Sequence, residues 1–238
     1  MQTAAQTVDH PQTTRDVLEV GVLVAIAVIS GFVSHHFGAN TPAGNGAAMA
    51  GILSAIGWAF LANRLRGNGV AALGIARPES WKRTLLLALG GTVVLFLVGG
   101  LIQTLVLPLF LEQTTADTSR FDAIRGNPLA LVRVLLVVWV TAAFGEEVVY
   151  RGFLIPRLAR LFGDGRNAGK IAVVVGAIGF GFLHLYQGPA GVIVTAWSGI
   201  ALGALYLMAD RNIWAAVFAH GLTHLISFSL LAAGLLPS

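Results

Sequence analysis

Six side chains combine types that do chemistry with spacings that let them cooperate. They are Glu146, Glu147 and Arg151 in "FGEEVVYRGF", His184 in "GFLHLYQG", and His220 and His224 in "FAHGLTH". On a helix, residues four apart share a face, so Glu147 can neutralise Arg151 across one turn while Glu146 points elsewhere, beside Tyr150 and its phenol donor. One carboxylate is then committed to an ion pair and the other is free to react. His220 and His224 share a face in the same way, the spacing with which two imidazoles grip one ion. Neutral imidazoles hold Zn²⁺ with a position open for water, and a carboxylate beside them can take the proton from that water. The donor set His184, His220, His224 and Glu146 therefore raises the expectation of a divalent metal, Zn²⁺ first. Histidine and glutamate chains also relay protons in transporters. Hydrolysis and ion-coupled transport both stay open on these residues, and a helix-end ion pair would by itself account for Glu147 and Arg151.

The elements that must position these groups are membrane helices. The chain has 238 residues, of which 56% are hydrophobic and 11% charged, with a mean hydropathy of +0.78. A soluble domain carries about 25% charged residues, so the composition is that of an integral membrane protein. Absence of cysteine excludes disulfides and thiolate ligands. About 20 apolar residues cross a bilayer core, and seven segments qualify: 17–37, 47–63, 84–108, 128–150, 170–187, 190–208 and 212–235. The fourth can continue as helix to Leu161, because "LIPRLARLF" keeps an apolar face. The expected fold is an all-α bundle of about seven membrane helices. Residues 1–16 read as a disordered cytoplasmic tail, and 17–238 as one membrane-embedded domain whose motif-bearing part is about 128–235. The first apolar run reads as a signal anchor that stays in place.

Basic residues orient the bundle. With the N-terminus inside, the inner segments hold Arg15; Arg64, Arg66, Arg77, Lys82 and Arg83; Arg151, Arg157, Arg160, Arg166 and Lys170; and Arg211, which is 12 of the 15 Lys and Arg. This is the positive-inside pattern. It accounts for a sequence pI near 10.1 without a nucleic-acid partner. The setting expected is a plasma membrane, bacterial by the Ala-, Gly- and Arg-rich composition, with the N-terminus cytoplasmic and the site reached from the cytoplasmic side or laterally between helices. Gly199 and Gly203 suit close helix packing. Trp58, Trp81, Trp139 and Trp214 read as belt residues at segment ends.

A level argument tests convergence. Residues equidistant from a hairpin turn lie at one depth, and the midpoint of 146 and 184 falls in the turn "GDGRNAG", so Glu146 and His184 should face each other. Reflecting 184 through the next two turns lands near 227–228, about one turn beyond His224 and two beyond His220.

Three ordered motifs carry a resemblance. "EEVVYR" fits the pattern EExxxR, "FGFLH" fits FxxxH, and "HGLTH" stands at an HxxxN position. Together with "LGIARPESW" they resemble the CPBP intramembrane proteases, the family of the CAAX prenyl proteases and Abi-type proteins, over about residues 70–235. The resemblance implies an endopeptidase acting on a membrane-anchored or lipidated polypeptide. In it Glu146 activates water, Glu147 and Arg151 support it, and His184 and His220 act as metal ligands or catalytic partners. His224 replaces the family's Asn or Asp; it can donate to an oxyanion or become a third nitrogen ligand. A non-catalytic membrane scaffold or immunity protein, and a small ion-coupled transporter, are the competing readings.

Overall fold

The computed structural model describes residues 10–38, 41–163, 165 and 167–236, and these are helical with no strand among them. Seven helices build the bundle: α1 (His10–His36), α2 (Pro42–Leu65), α3 (Trp81–Leu109), α4 (Pro128–Leu161), α5 (Ala168–Phe182), α6 (Gly188–Met208) and α7 (Trp214–Ala232). Six are long and apolar enough to cross a membrane, and α5, with 15 residues, is a shorter apolar helix. Large apolar side chains such as Phe32, Leu86, Leu97, Leu136 and Val140 face outwards, a surface that water would not tolerate and lipid covers. The chain is an integral multi-pass membrane protein.

Local chemistry sets several helix starts. Thr41 accepts from the Gly44 amide ahead of α2, Ser80 from the Arg83 amide ahead of α3, and Asn127 from the Ala130 amide ahead of α4. Pro42 and Pro128 follow two of these caps, where a missing N–H costs nothing. The centre of α4 departs from α-helical winding. Trp139–Glu146 and Val148–Leu154 are π-helical, a form that is rare and concentrated at functional sites. The continuation of α4 to Leu161 agrees with the sequence reading.

Residues 10–16 depart from it. They are helical as the first turns of α1, not disordered; residues 1–9 of the expected tail lie outside the described residues. The cause is a buried ionic network at the α1 end of the bundle. Asp16 accepts from Arg66 at 2.5 Å and from Arg160 at 2.8 Å. Glu19 accepts from Arg66 at 2.9 Å, Arg157 at 2.7 Å and Arg15 at 3.1 Å. Trp58 is drawn into the same knot: its indole N–H donates to the Glu19 carbonyl at 3.0 Å, so it is a clamp between α1 and α2 and not only a belt residue.

Small residues close the bundle as expected. A side-chain carbon at Gly199 would meet Ala177 at 2.9 Å, and one at Gly203 would meet Val173 at 2.6 Å, so α6 lies directly against α5. Trp139 differs from its reading, because α4 continues beyond residue 150 and leaves it mid-helix. Its ring fills the space that a side chain at Gly221 of α7 would take.

Candidate active site

The π-wound part of α4 delivers two neighbouring carboxylates into different surroundings. Glu147 is fully buried, with 0% exposure. Its Oε1 accepts from Arg151 at 3.0 Å, the expected pair four residues apart, and from His220 Nδ1 at 2.9 Å. Arg151 is 1% exposed and donates further to the Gly199 carbonyl of α6 at 3.0 Å. The close approach of α6 at Gly199 thus gives a buried cation a further acceptor, although the Arg151 Nε and the Glu147 Oε2 have no hydrogen-bond partner among the described residues. Glu146 is only half-buried and, among the described residues, makes no hydrogen bond or ion pair. It lies within electrostatic reach of His220, Glu147 and Arg151. The expected partnership with Tyr150 does not form. The phenol ring packs edge-on against Phe180 at 4.7 Å, since wider winding moves position 150 out of line with 146. The longer arginine side chain still spans from 151 to 147.

α7 supplies two stacked imidazoles. His220 and His224 stand 4.7 Å apart by ring centre, with their Nε2 atoms 3.0 Å apart. Because Nδ1 of His220 faces a carboxylate, it carries a proton. The Nε2–Nε2 contact then needs one donor and one acceptor. Glu147, His220 and His224 therefore form a linear relay in which one proton lies between the imidazoles. His224 stacks in turn on Phe228 at 5.4 Å. The level argument placed His220 two turns too far away. Helix α7 begins at Trp214 and α5 ends at Phe182, and α4 rises less per residue where it is π-wound, so His220 comes level with Glu147.

His184 follows the end of α5, where Nδ1 donates to the Phe180 carbonyl at 2.8 Å. That bond leaves Nε2 as its free nitrogen. The Phe180 ring lies against Tyr150, against His184 at 4.8 Å and against His220 at 6.4 Å. Glu147, Arg151, His220 and His224 are thus linked directly and His184 joins them through Phe180, while Glu146 lies within electrostatic reach of Glu147, Arg151 and His220. The expected metal set is not assembled. Among the described residues no three His, Asp or Glu side chains converge to hold an ion, and His220 and His224 point nitrogens at each other. No step is therefore derived through a metal.

Burial is uneven around this cluster. Toward the ends of α4 and α1 that carry the ionic network it is sealed by Val148, Phe153, Leu73 and Ile213, all at 0% exposure. Leu73 belongs to the short turn after α2, and its carbonyl fills the place of a side chain at Gly152. The Ile213 amide donates to the Gly74 carbonyl at 3.1 Å. The sequence reading expected access from this side or laterally between helices. Glu146, His184 and His224 are the half-buried members, and His184 lies toward the opposite end, through Tyr186 and Arg120 beside residues 110–127 that connect α3 to α4. The Asp117 amide there donates to the Gln187 carbonyl at 3.0 Å. Neither Leu73 as a plug nor this connection as a cover was found by sequence reasoning. The turn "LGIARPESW" was noted only as a resemblance.

Comparison with known proteins gives one match. Residues 128–226 match the family model described as type II CAAX prenyl endopeptidase Rce1-like. No curated protein and no solved structure matches the chain.

Proposed function

Through residues 128–226 the chain belongs to the type II CAAX prenyl endopeptidase Rce1-like family, and from that premise we propose that it is an intramembrane endopeptidase in which Glu146 activates the attacking water. The observation that carries this reading is the division between adjacent carboxylates. Glu147 has Oε1 occupied by Arg151 and His220, whereas Glu146 is half-buried and makes no hydrogen bond or ion pair among the described residues.

The carboxylate of Glu146 takes a proton from water as the water oxygen attacks the scissile carbonyl carbon. Collapse of the tetrahedral intermediate breaks the C–N bond, and the proton passes from Glu146 to the departing amine. His184 and His224, on either side of the Phe180–His220 contact, are the side chains that meet the developing oxyanion when protonated. Glu147 and Arg151 act as positioning residues, fixing His220 and through it the orientation of His224. The substrate is a polypeptide held in or at the membrane.

The test compares new peptide termini in membranes of cells expressing wild type or Glu146→Gln at matched levels. Loss of a general base typically costs about 10²–10⁴-fold in rate, so termini that form with wild type should vanish with the variant. Termini that persist unchanged would remove Glu146 from the mechanism.

A further inference from the structure

The side from which substrate reaches Glu146 is written in the layering of burial and charge, an argument that rests on the proteolytic reading above. One side of the cluster is closed by fully buried apolar residues and then by the network of Asp16, Glu19, Arg66, Arg157 and Arg160. The other side is bounded by polar and aromatic groups. Tyr186 is 37% exposed and lies 5.7 Å from His184 by ring centre. Over Tyr186, at 4.5 Å from its centre, stands the guanidinium of Arg120, carried by the connection between α3 and α4. Arg120 also donates to Asn45 at the start of α2 and lies 5.7 Å from the Phe121 ring. Among the described residues no carboxylate pairs with it, in contrast to Arg66, Arg157 and Arg160. An amide and aromatic faces hold a cation without neutralising it. The mouth therefore keeps a positive charge one side chain away from His184.

Loop charges fix which compartment this is. Lys82, Arg83, Arg64 and Arg66 lie at the sealed end, and an excess of Lys and Arg marks the cytoplasmic side. We propose that the site opens to the non-cytoplasmic face, and that Arg120 at its mouth receives a carboxylate of the substrate polypeptide. A cation without a carboxylate partner, beside polar and aromatic side chains, raises the local concentration of anions and orients a chain that approaches it.

The chain has no cysteine, so introduced thiols report without background. In intact cells a membrane-impermeant thiosulfonate should modify Ser119→Cys and His184→Cys, while Lys82→Cys should react only after permeabilisation. His224→Cys serves as a second reporter if His184→Cys fails to fold. A sulfonate-bearing reagent should modify the site thiol about 5-fold faster than an uncharged one, and Arg120→Gln should abolish that preference. Protection of the thiol by a short apolar peptide with a free C-terminal carboxylate, against its carboxamide with an internal glutamate, separates main-chain from side-chain carboxylates. Reaction of the site thiols only from the Lys82 side, or from neither side, overturns the access route. Equal rates for both reagents, or no protection by either peptide, overturns the role of Arg120. If Glu146→Gln cleaves normally while labelling follows expectation, the route stands and the hydrolytic reading falls; the reverse pattern leaves catalysis standing without the route.

Discussion

Replacing Glu147 and replacing Glu146 should have very unequal consequences for stability, although the two residues are neighbours of the same type. Glu147→Ala removes a carboxylate that accepts from Arg151 at 3.0 Å and from His220 at 2.9 Å. It strands a guanidinium that is 1% exposed and that, among the described residues, keeps one hydrogen-bond acceptor, the Gly199 carbonyl, beside the Tyr150 and Phe180 rings. Breaking a buried ion pair by removing one partner costs about 3–5 kcal/mol. For a chain of this size, 1 kcal/mol corresponds to roughly 2–4 °C in Tm, so the expected fall is about 6–20 °C. Glu146→Ala breaks no hydrogen bond among the described residues and should change stability by less than about 1 kcal/mol. Both variants should lose proteolysis, for different reasons. Unfolding of purified protein in a single detergent, followed by tryptophan fluorescence and by circular dichroism at one scan rate, compares them directly. Equal shifts, or a larger loss for Glu146→Ala, would refute the division of labour on which the proposed mechanism depends.

Two further substitutions probe the supports of the cluster. Gly221→Val drives a side chain into the Trp139 ring beside His220; overpacking of this kind costs about 1–3 kcal/mol, and activity should fall further than Tm accounts for, read as specific activity of the folded fraction. Arg157→Ala removes one of the three arginines from which Glu19 accepts and uncovers the Phe153 ring, which its guanidinium overlies at 3.6 Å. Stability should drop by about 1.5–3 kcal/mol, the loss expected for hydrogen bonds to a charged group that keeps other partners, with α1 becoming susceptible to limited proteolysis before the rest of the bundle; uniform cleavage would show that the network does not specifically hold α1.

What the sequence made legible follows from the range of each interaction. The seven apolar runs and the Glu147–Arg151 pair depend only on neighbours, and both stand in the structure. The Glu146–Tyr150 pairing failed although its spacing is identical, because inference by spacing assumed α-helical winding through residues that are π-wound. The contact of His220 with Glu147 escaped the level argument for a related reason: errors in rise and in helix ends accumulate through three helices. Asp16 and Glu19 were the largest omission. Standing before or inside an apolar run, they look like a tail and an isolated charge. Their partners Arg66, Arg157 and Arg160 are 47 to 144 positions away, and charge bias alone already explained those arginines. The two explanations are compatible, and their overlap has a physical consequence. On the proposed orientation, the basic residues that mark the cytoplasmic side are also the clamp sealing one end of the bundle. The carboxylate that must meet water is then reached, by the proposed route, from the other end. Sidedness of insertion and sidedness of the site are therefore coupled through the same arginines, and a chain inserted in the opposite sense would present its reactive glutamate to the opposite compartment.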